Sequence, residues 1–592
     1  MNRVLLLVIA YLISISAFSQ GTYVPLGGDT YDYIDRLDIK YGKILPMIHT
    51  STKPYIRSEV AQMAEALHFS NLKQNKVNEF QLQYLMDDSP EWLDSVKSQT
   101  KRPLFKKLYR EPASFAHVES KKKGLFDLRV NPIIDMHVGG ETNGSRFIFD
   151  RSIGVEFRAN IKKVLSFYSA TTGDATRPMQ YVANMYTNNP NQDVSAPAGS
   201  NLAYVPGVAY FKQYSSSIFK FQDGTDWFNA VGYANVNILD YLNVSFGRDK
   251  NFWGDGMRSL FLSDNSSPYL FLKEKLTFWR IEYTSMITQL TSDYSRGNDA
   301  LLDKKYGSFQ KLDIKITWWL NMGLFEGNIS RRDGNNFDIS YLNPVIFYRA
   351  VDHALGNPDK ETIGGYFKAN AANHLSFYGQ GILSEFNVSH LIHHDGWRDN
   401  KYGVQLGMKY IDIAPGLDAQ IEFNAVRPFT YSTSTFPEEN YTNYNQALAD
   451  PLGNNFFEFL AKINYQPKPK WTINMKLMIA RVGDDTIVGY QNGNLNQPIY
   501  SNFGGDIFRT DSASHYYGNK IGQGAASIIA YLDLRVSYQA WHNIYIDAEM
   551  IYREKTSAYK ADIGGTLYPY ASSSFYFGLG LRMNFAMKSY MF

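Results

Sequence analysis

From about Leu125 onward, apolar and polar residues alternate with a period of two, the period of a β-strand. The cleanest run sets Phe575, Phe577, Leu579, Leu581, Met583 and Phe585 against Tyr576, Gly578, Gly580, Arg582 and Asn584. One face is apolar and the other polar or glycine, over a length that crosses a hydrocarbon layer as a tilted strand. Trp471–Ile479 and Ile544–Met550 repeat the pattern, the second placing Asp547 and Glu549 on an inner face. Strands of soluble sandwiches alternate too, but are usually about 5–6 residues long, roughly half the length seen here.

A unit of long strand, tight turn and long strand recurs at 157–169, 236–247, 316–327, 410–423, 463–476 and 537–549. Longer stretches rich in Gly, Asn, Asp and Tyr separate these units. Short turns at one end and long loops at the other are the outer-membrane arrangement, with both termini on the short-turn, periplasmic side. Twelve strands come from the units, and Arg129–Val138 and Ser573–Phe585 add the first and last. Parity then requires two more hairpins, placed at Leu262–Leu290 and Gly364–Phe386, for a total of about eighteen. The predicted fold class is an all-β transmembrane barrel with a small N-terminal α-helical bundle, and closure leaves no unpaired edge facing lipid.

Residues 20–100 have a different period. Tyr31, Ile34, Leu37 and Ile39 fall at near-helical spacing. Ser58 is positioned to cap a helix from Glu59 to Leu67, and a third helix runs from about Asn71 to Met86. Ser89-Pro90-Glu91 reads as the start of a short fourth. A basic linker, 101–124, joins this periplasmic head to the barrel at 125–592. Residues 1–19 read as a signal peptide: Arg3, an apolar core from Val4 to Ile15, and Ala17-Phe18-Ser19 for cleavage before Gln20. The apolar core falls short of the ~20 residues of a spanning helix.

Composition narrows the function. Aromatic residues make up 15% of the 592 residues, led by 43 Tyr and 38 Phe, while hydrophobic content stays at 44%. That balance excludes a polytopic helical membrane protein and suits a barrel whose alternate residues face a polar lumen. A net charge of +2 gives no reason to expect nucleic acid as a partner. The chain has no cysteine, which excludes disulfides, thiolate metal sites and cysteine nucleophiles.

The stretch 247–270 carries the frame Trp253-Gly254-x-Gly256, Ser259-Leu260-x-Leu262-Ser263-x-Asn265 and Pro268. This frame resembles the capsule-assembly Wzi family. Tyr341-Leu342-Asn343-Pro344, and Tyr378-Gly379-Gln380 with Glu385, are similar to downstream family segments. The head sequence 27–44 resembles the helical N-terminus of the Bacteroidetes-type members. The chain departs from the family at Asp255, where proline is commoner, and at Ser384, where aspartate is commoner. The resemblance implies a large outer-membrane barrel of a Gram-negative bacterium, a periplasmic helical bundle, and a surface lectin that holds capsular polysaccharide on the cell. It implies neither enzyme activity nor a cofactor.

The long loops hold the candidate ligand residues: Tyr186 and Trp227 in or beside 174–226, Tyr441 and Tyr444 in 427–455, Tyr490 and Tyr500 in 483–523. Aromatic faces cover the apolar side of a sugar ring, and amides match its hydroxyls. The same residues are also ordinary barrel-girdle and loop residues. Trp253, Asp255, Arg258 and Asn265 read either as a lumenal ligand site or as a pore plug, with the plug favoured. His390, His393, His394 and Asp395 could hold zinc or act as base and orienter, but His390 and His394 suit a metal only on a helix, and this stretch reads as strand into loop. Asp333 to Asp338 offers calcium-like oxygens without the acid at the twelfth position. The leading expectation is a non-enzymatic polysaccharide-binding surface protein, with outer-membrane lipid and extracellular polysaccharide as partners. The alternatives are an accessory protein of secretion or gliding that binds periplasmic or surface assembly proteins, a porin, and a rim hydrolase using His393, His394 and Asp395.

Overall fold

The alternating segments close into an antiparallel barrel of 18 strands. The computed structural model describes residues 21–592 except 43–47, 71–74, 94–107, 121–124, 143–145, 163, 185–203, 218, 239–240, 293–301, 333–335, 345–346, 357–358, 435, 486, 491–497, 512–513, 558–559, 564–565 and 570. The expected cleavage site and signal peptide lie outside the described residues. The first nine strands are β1 Phe126–Glu141, β2 Arg146–Ile161, β3 Leu165–Arg177, β4 Phe221–Ile238, β5 Leu242–Asp249, β6 Tyr269–Phe278, β7 Ile281–Thr291, β8 Lys304–Lys315 and β9 Leu320–Ser330. The ring continues with β10 Lys360–Ala371, β11 Leu375–Glu385, β12 Lys401–Ala414, β13 Leu417–Val426, β14 Phe456–Lys468, β15 Trp471–Asp484, β16 Ala525–Trp541, β17 Ile544–Ser557 and β18 Ser572–Met583. Strand β18 pairs with β1 and closes it.

Both hairpins demanded by parity are present, as β6–β7 and β10–β11. The first begins at Tyr269 rather than Leu262, because residues 250–268 turn into the lumen before the strand starts. The unit at 316–327 also shifts, with Ile316 to Trp319 forming the turn between β8 and β9. Side-chain alternation sorts the wall into two faces. On β18, Phe577 and Leu579 are each 54% exposed outward, whereas Arg582 is buried inward against Asp547 at 3.0 Å. Among the described residues no helix is long and apolar enough to cross a membrane. The apolar outer face of the strands is the lipid-contacting surface.

Among the described residues the head has three helices, α1 Thr30–Tyr41, α2 Arg57–His68 and α3 Lys76–Asp88, followed by a 3₁₀ turn at Pro90–Trp92. Ile34, Leu37, Val60, Leu67, Leu82 and Leu85 meet in one small core. Ser58 does not cap α2. It lies inside the first turn and accepts the Gly21 N–H, while Ile56 occupies the cap. Part of the expected linker is strand, since Ala116–Glu119 pairs with Asp127–Val130 of β1.

The head closes the short-turn end of the barrel. Tyr84 donates to Asn543 at the β16–β17 turn, 2.5 Å, and Gln81 donates to Gln466 beside the β14–β15 turn, 2.9 Å. Helix α1 carries Asp32, Asp35 and Asp38 at three-residue spacing, one face of a helix. They meet Lys462 of β14, Lys409 of β12 and Lys368 of β10 at 2.6, 2.5 and 2.8 Å. Next to them Arg36 bridges Asp412 and Asp418 at the β12–β13 turn. Beyond α1 the chain enters the lumen, where Thr52–Lys53 pairs with Phe252–Trp253 of the inward loop. Residues 584–592 also fold inward, so head, loop and tail pack together inside the wall.

Burial alone would raise the Asp35 carboxyl, but Lys409, then Lys53 and Lys368, hold it below the usual carboxylate range. Asp38 is lowered against the same burial cost by Lys368. A depressed folded pKa contributes docking stability that is fully present above the unfolded value of about 3.9 and is lost progressively as pH falls from there through the lower folded value. The head is therefore expected to loosen in acid. A fluorophore on Lys76→Cys, in a chain with no other cysteine, should lose anisotropy below about pH 4 and regain it on neutralisation. An anisotropy flat across this range would contradict the salt-bridge account.

Candidate functional site

Two long loops are knitted together above the strand ends. In the β11–β12 loop, Asn387 caps the short helix Val388–His393 by accepting the Ser389 N–H, and His394 ends it in the left-handed region at φ 52°. The histidine stretch is thus helical, where strand into loop was expected. The N–H of Trp397 then donates to the Asp395 carboxylate, 2.9 Å. From the β15–β16 loop, the Gly518 N–H donates to the Asp395 carbonyl and the Asn519 N–H to the Gly396 carbonyl. Arg398 N–H donates back to the Tyr516 carbonyl at 2.8 Å. At the crossing Gly396 has φ +70°, and a Cβ there would lie 2.6 Å from the Asn519 nitrogen. Only glycine fits so close an approach.

These backbone bonds assemble an aromatic platform. The His390 ring stacks on Trp397 with centroids 4.4 Å apart and planes at 10°. Tyr516 stacks on Trp397 at 5.9 Å and Tyr517 leans on it at 5.1 Å. The Arg398 guanidinium lies over the Tyr516 ring at 4.5 Å. Tyr516 and Tyr517 remain 55% and 57% exposed, so the platform is open to solvent. Polar groups edge the platform: Asp395 hydrogen-bonded to His390 at 2.6 Å, Asp399 on Arg398, and exposed His393 and His394. The His390 hydrogen bond lowers the Asp395 carboxyl, which stays an acceptor at neutral pH. Among the described residues no cluster of three or more His, Cys, Asp or Glu is arranged to hold a metal ion.

A chamber of about 860 Å³ lies inside the barrel, between the head, the inward loop and residues 585–592. Four residues picked out from the sequence line it: Trp227, Arg258, Asn265 and Tyr444. The Lys588 ammonium sits 6.0 Å from the Trp227 ring. Arg258 is tied down, donating to Glu458 at 3.0 Å and to the Met591 carbonyl at 2.6 Å. Burial would lower its pKa, but Glu458 and Asp450 hold it raised. Burial, then Glu458, pushes the Asp450 carboxyl well above the usual range.

The other predicted residues go elsewhere. Trp253 is fully buried, edge-on to Phe309 and Phe325 at 6.3 and 6.1 Å, and belongs to the plug. Asp255 is buried, accepting from Thr50 of the head at 2.8 Å. Tyr441 is fully buried and donates to the Phe261 carbonyl, 2.6 Å. Tyr490 and Tyr500 belong to a small two-stranded ribbon, and their side chains and all of Tyr186 lie outside the described residues. The sequence places Tyr516 and Tyr517 in the 483–523 loop with Tyr490 and Tyr500 without singling them out, and nothing in it marks Trp397 as their partner. The available signal is compositional, His-Asp-Gly-Trp followed by Arg398 in one loop and Tyr-Tyr-Gly-Asn in another, more than a hundred residues on.

No protein-family model matches the chain, and no curated protein matches it. Among solved structures it is similar to Wzi, an outer membrane protein involved in group 1 capsule assembly in Escherichia coli and a carbohydrate-binding β-barrel. The match has 12% identity and a TM-score of 0.53, and covers 94% of this chain and 98% of that one. It also matches OprD of Pseudomonas aeruginosa, at 9% identity, TM-score 0.39, and 77% and 94% coverage. OccAB1 of Acinetobacter baumannii matches at 10% identity, TM-score 0.38, and 79% and 99% coverage. The likeness to Wzi is one of fold, running the length of both chains.

Proposed function

We propose that this protein is a non-enzymatic outer-membrane surface barrel that binds an extracellular polysaccharide and retains it at the cell. The observation that carries the reading is the aromatic platform of Trp397, Tyr516 and Tyr517, edged by carboxylate and imidazole, above a barrel whose lumen holds the inward loop and tail. Pyranose rings bury an apolar face on such rings while their hydroxyls meet polar acceptors. Preorganisation by backbone hydrogen bonds keeps the ordering cost of binding low. The shared fold with Wzi supports the same class of ligand. A lumen occupied by head, inward loop and tail around one chamber favours holding over conduction, which sets the porin reading second.

The test is a deletion strain scored for polysaccharide on the cell against polysaccharide in the medium. Loss from the cell with unchanged total synthesis is the expected result. Normal retention would sink the proposal. In planar bilayers the purified barrel should show no steady single-channel conductance at neutral pH, where a porin would conduct.

A further inference from the structure

One part of the outer wall is polar where the bilayer should be. Glu274 of β6, Ser285 of β7, Gln310 of β8 and Glu326 of β9 are direct cross-strand neighbours, in one row. All four alternate with lumen-facing residues: Lys275, Met286, Phe309 and Phe325 are buried on the inner side. The row therefore points outward, near the middle of the strands. Lower on β9 the outward Met322 and Leu324 are 45% and 58% exposed, as lipid-facing residues are elsewhere. From Glu326 upward exposure collapses to 6%, and to 0% at Asn328. Something covers the wall from that level.

The cover is the β9–β10 loop, described at 336–344 and 347–356. It folds down over the outside of the barrel. The Tyr283 hydroxyl donates to the Pro344 carbonyl, and the Gln310 amide donates to the Asn343 carbonyl at 3.4 Å. The Arg349 N–H donates to Glu326 at 3.3 Å, and the Asn328 amide donates to the Tyr341 hydroxyl at 3.4 Å. Tyr341, Tyr348 and Val351 form a small core against the wall. The opposite side of the loop exposes Ile339 at 76%, Phe347 at 73% and Leu342 at 50%. Large apolar side chains thus stand on the side away from the protein, with Ser340, Arg349 and His353 among them, although polar wall groups already bind the loop from within.

We propose that this segment is a flap lying within the outer half of the bilayer, its outer surface in contact with lipid acyl chains. Irregular backbone is excluded from hydrocarbon because its polar groups go unpaired. Here the polar wall row supplies partners to backbone groups of the flap, and the flap shields the Glu326 carboxylate that would otherwise face lipid. Arg349, exposed and 3.5 Å from Glu361 one step up the wall, is placed to snorkel toward the headgroups. The polar row and the apolar loop face explain each other only if lipid lies outside both. This inference stands on the barrel alone and does not require the carbohydrate reading.

Because the chain has no cysteine, single substitutions Ile339→Cys and Phe347→Cys can carry an environment-sensitive fluorophore in the full-length protein. Phe577→Cys serves as the lipid-facing control and Tyr517→Cys as the aqueous one. In phosphatidylcholine vesicles with acyl-chain nitroxides, labels at 339 and 347 should be quenched as at 577, and spared by aqueous iodide. Iodide quenching matching that at 517 would overturn the proposal. Shielding from both quenchers would also overturn it, and would indicate a protein contact instead. Combining Phe347→Cys with Glu326→Leu, which removes an acceptor of the flap backbone, should shift the label from nitroxide toward iodide quenching. No shift would show that the wall row does not hold the flap.

Discussion

Replacing Trp397 and Tyr517 together by alanine is expected to weaken binding of the cell's own purified polysaccharide by about 10- to 100-fold. A central aromatic contact typically carries about 2 kcal/mol or more, and 1.4 kcal/mol is a factor of ten. The substitution removes ring faces and leaves the scaffold, because the loops are joined through the backbones of Asp395, Gly396, Arg398, Gly518 and Asn519. Titration calorimetry against the released polysaccharide reads the effect directly. Tyr516→Phe is the matched control: it keeps the ring under Arg398 and should bind within a few-fold of the parent. Unchanged affinity in the double variant would remove the platform as the binding surface.

Lys368→Met should release the head from the barrel. The Lys368 ammonium reaches Asp38 of α1 at 2.8 Å, Thr50 of the head at 2.7 Å and Asp255 of the inward loop at 3.6 Å. Two donors thus bond the head, the charge faces Asp255 of the inward loop, and the side chain is 3% exposed. Removing one partner of a buried charge set costs up to about 3–5 kcal/mol, because Asp255 stays buried without its cation while Asp38 keeps only the Asn370 amide. The anisotropy of the fluorophore on Lys76→Cys should therefore fall at neutral pH, reproducing the acid response. Adding Asp38→Asn removes one stranded charge and should recover part of the loss. Full anisotropy in the single variant would mean that the remaining ties, Asp35 to Lys409, Asp32 to Lys462 and Arg36 to Asp412 and Asp418, hold the head without Lys368.

The barrel was legible because a strand in a membrane wall must alternate. Phe577 and Arg582 reveal their faces without knowledge of any neighbour, and parity counts strands that are individually weak. Residues 269–291 and 360–385 illustrate this, since closure required a hairpin at each place and both are there. The head helices were legible from period, but Ser58 was misassigned as a cap because its real partner, Gly21, lies far along the chain. The loops were legible in composition only. Tyr441 and Tyr444 are three residues apart, yet one is fully buried on Phe261 and the other lines the chamber. Nothing in their types distinguishes them, since exposure in a loop is set by what folds over it.

The chain's own alternation, turn spacing and helical N-terminal period thus determine a barrel of about eighteen strands with a helical head, because these are local consequences of one face meeting lipid and the other a polar lumen. Tertiary structure alone decided where the head sits, through Asp32, Asp35 and Asp38 finding lysines on three separate strands. It alone brought Trp397 beside Tyr516 and Tyr517, and turned the β9–β10 loop outward onto a polar wall. Each of these is a pairing between segments distant in sequence. Alternation is written into consecutive residues, whereas the partner of a charge, a ring or an unpaired carbonyl exists only once closure of the barrel has brought it within reach.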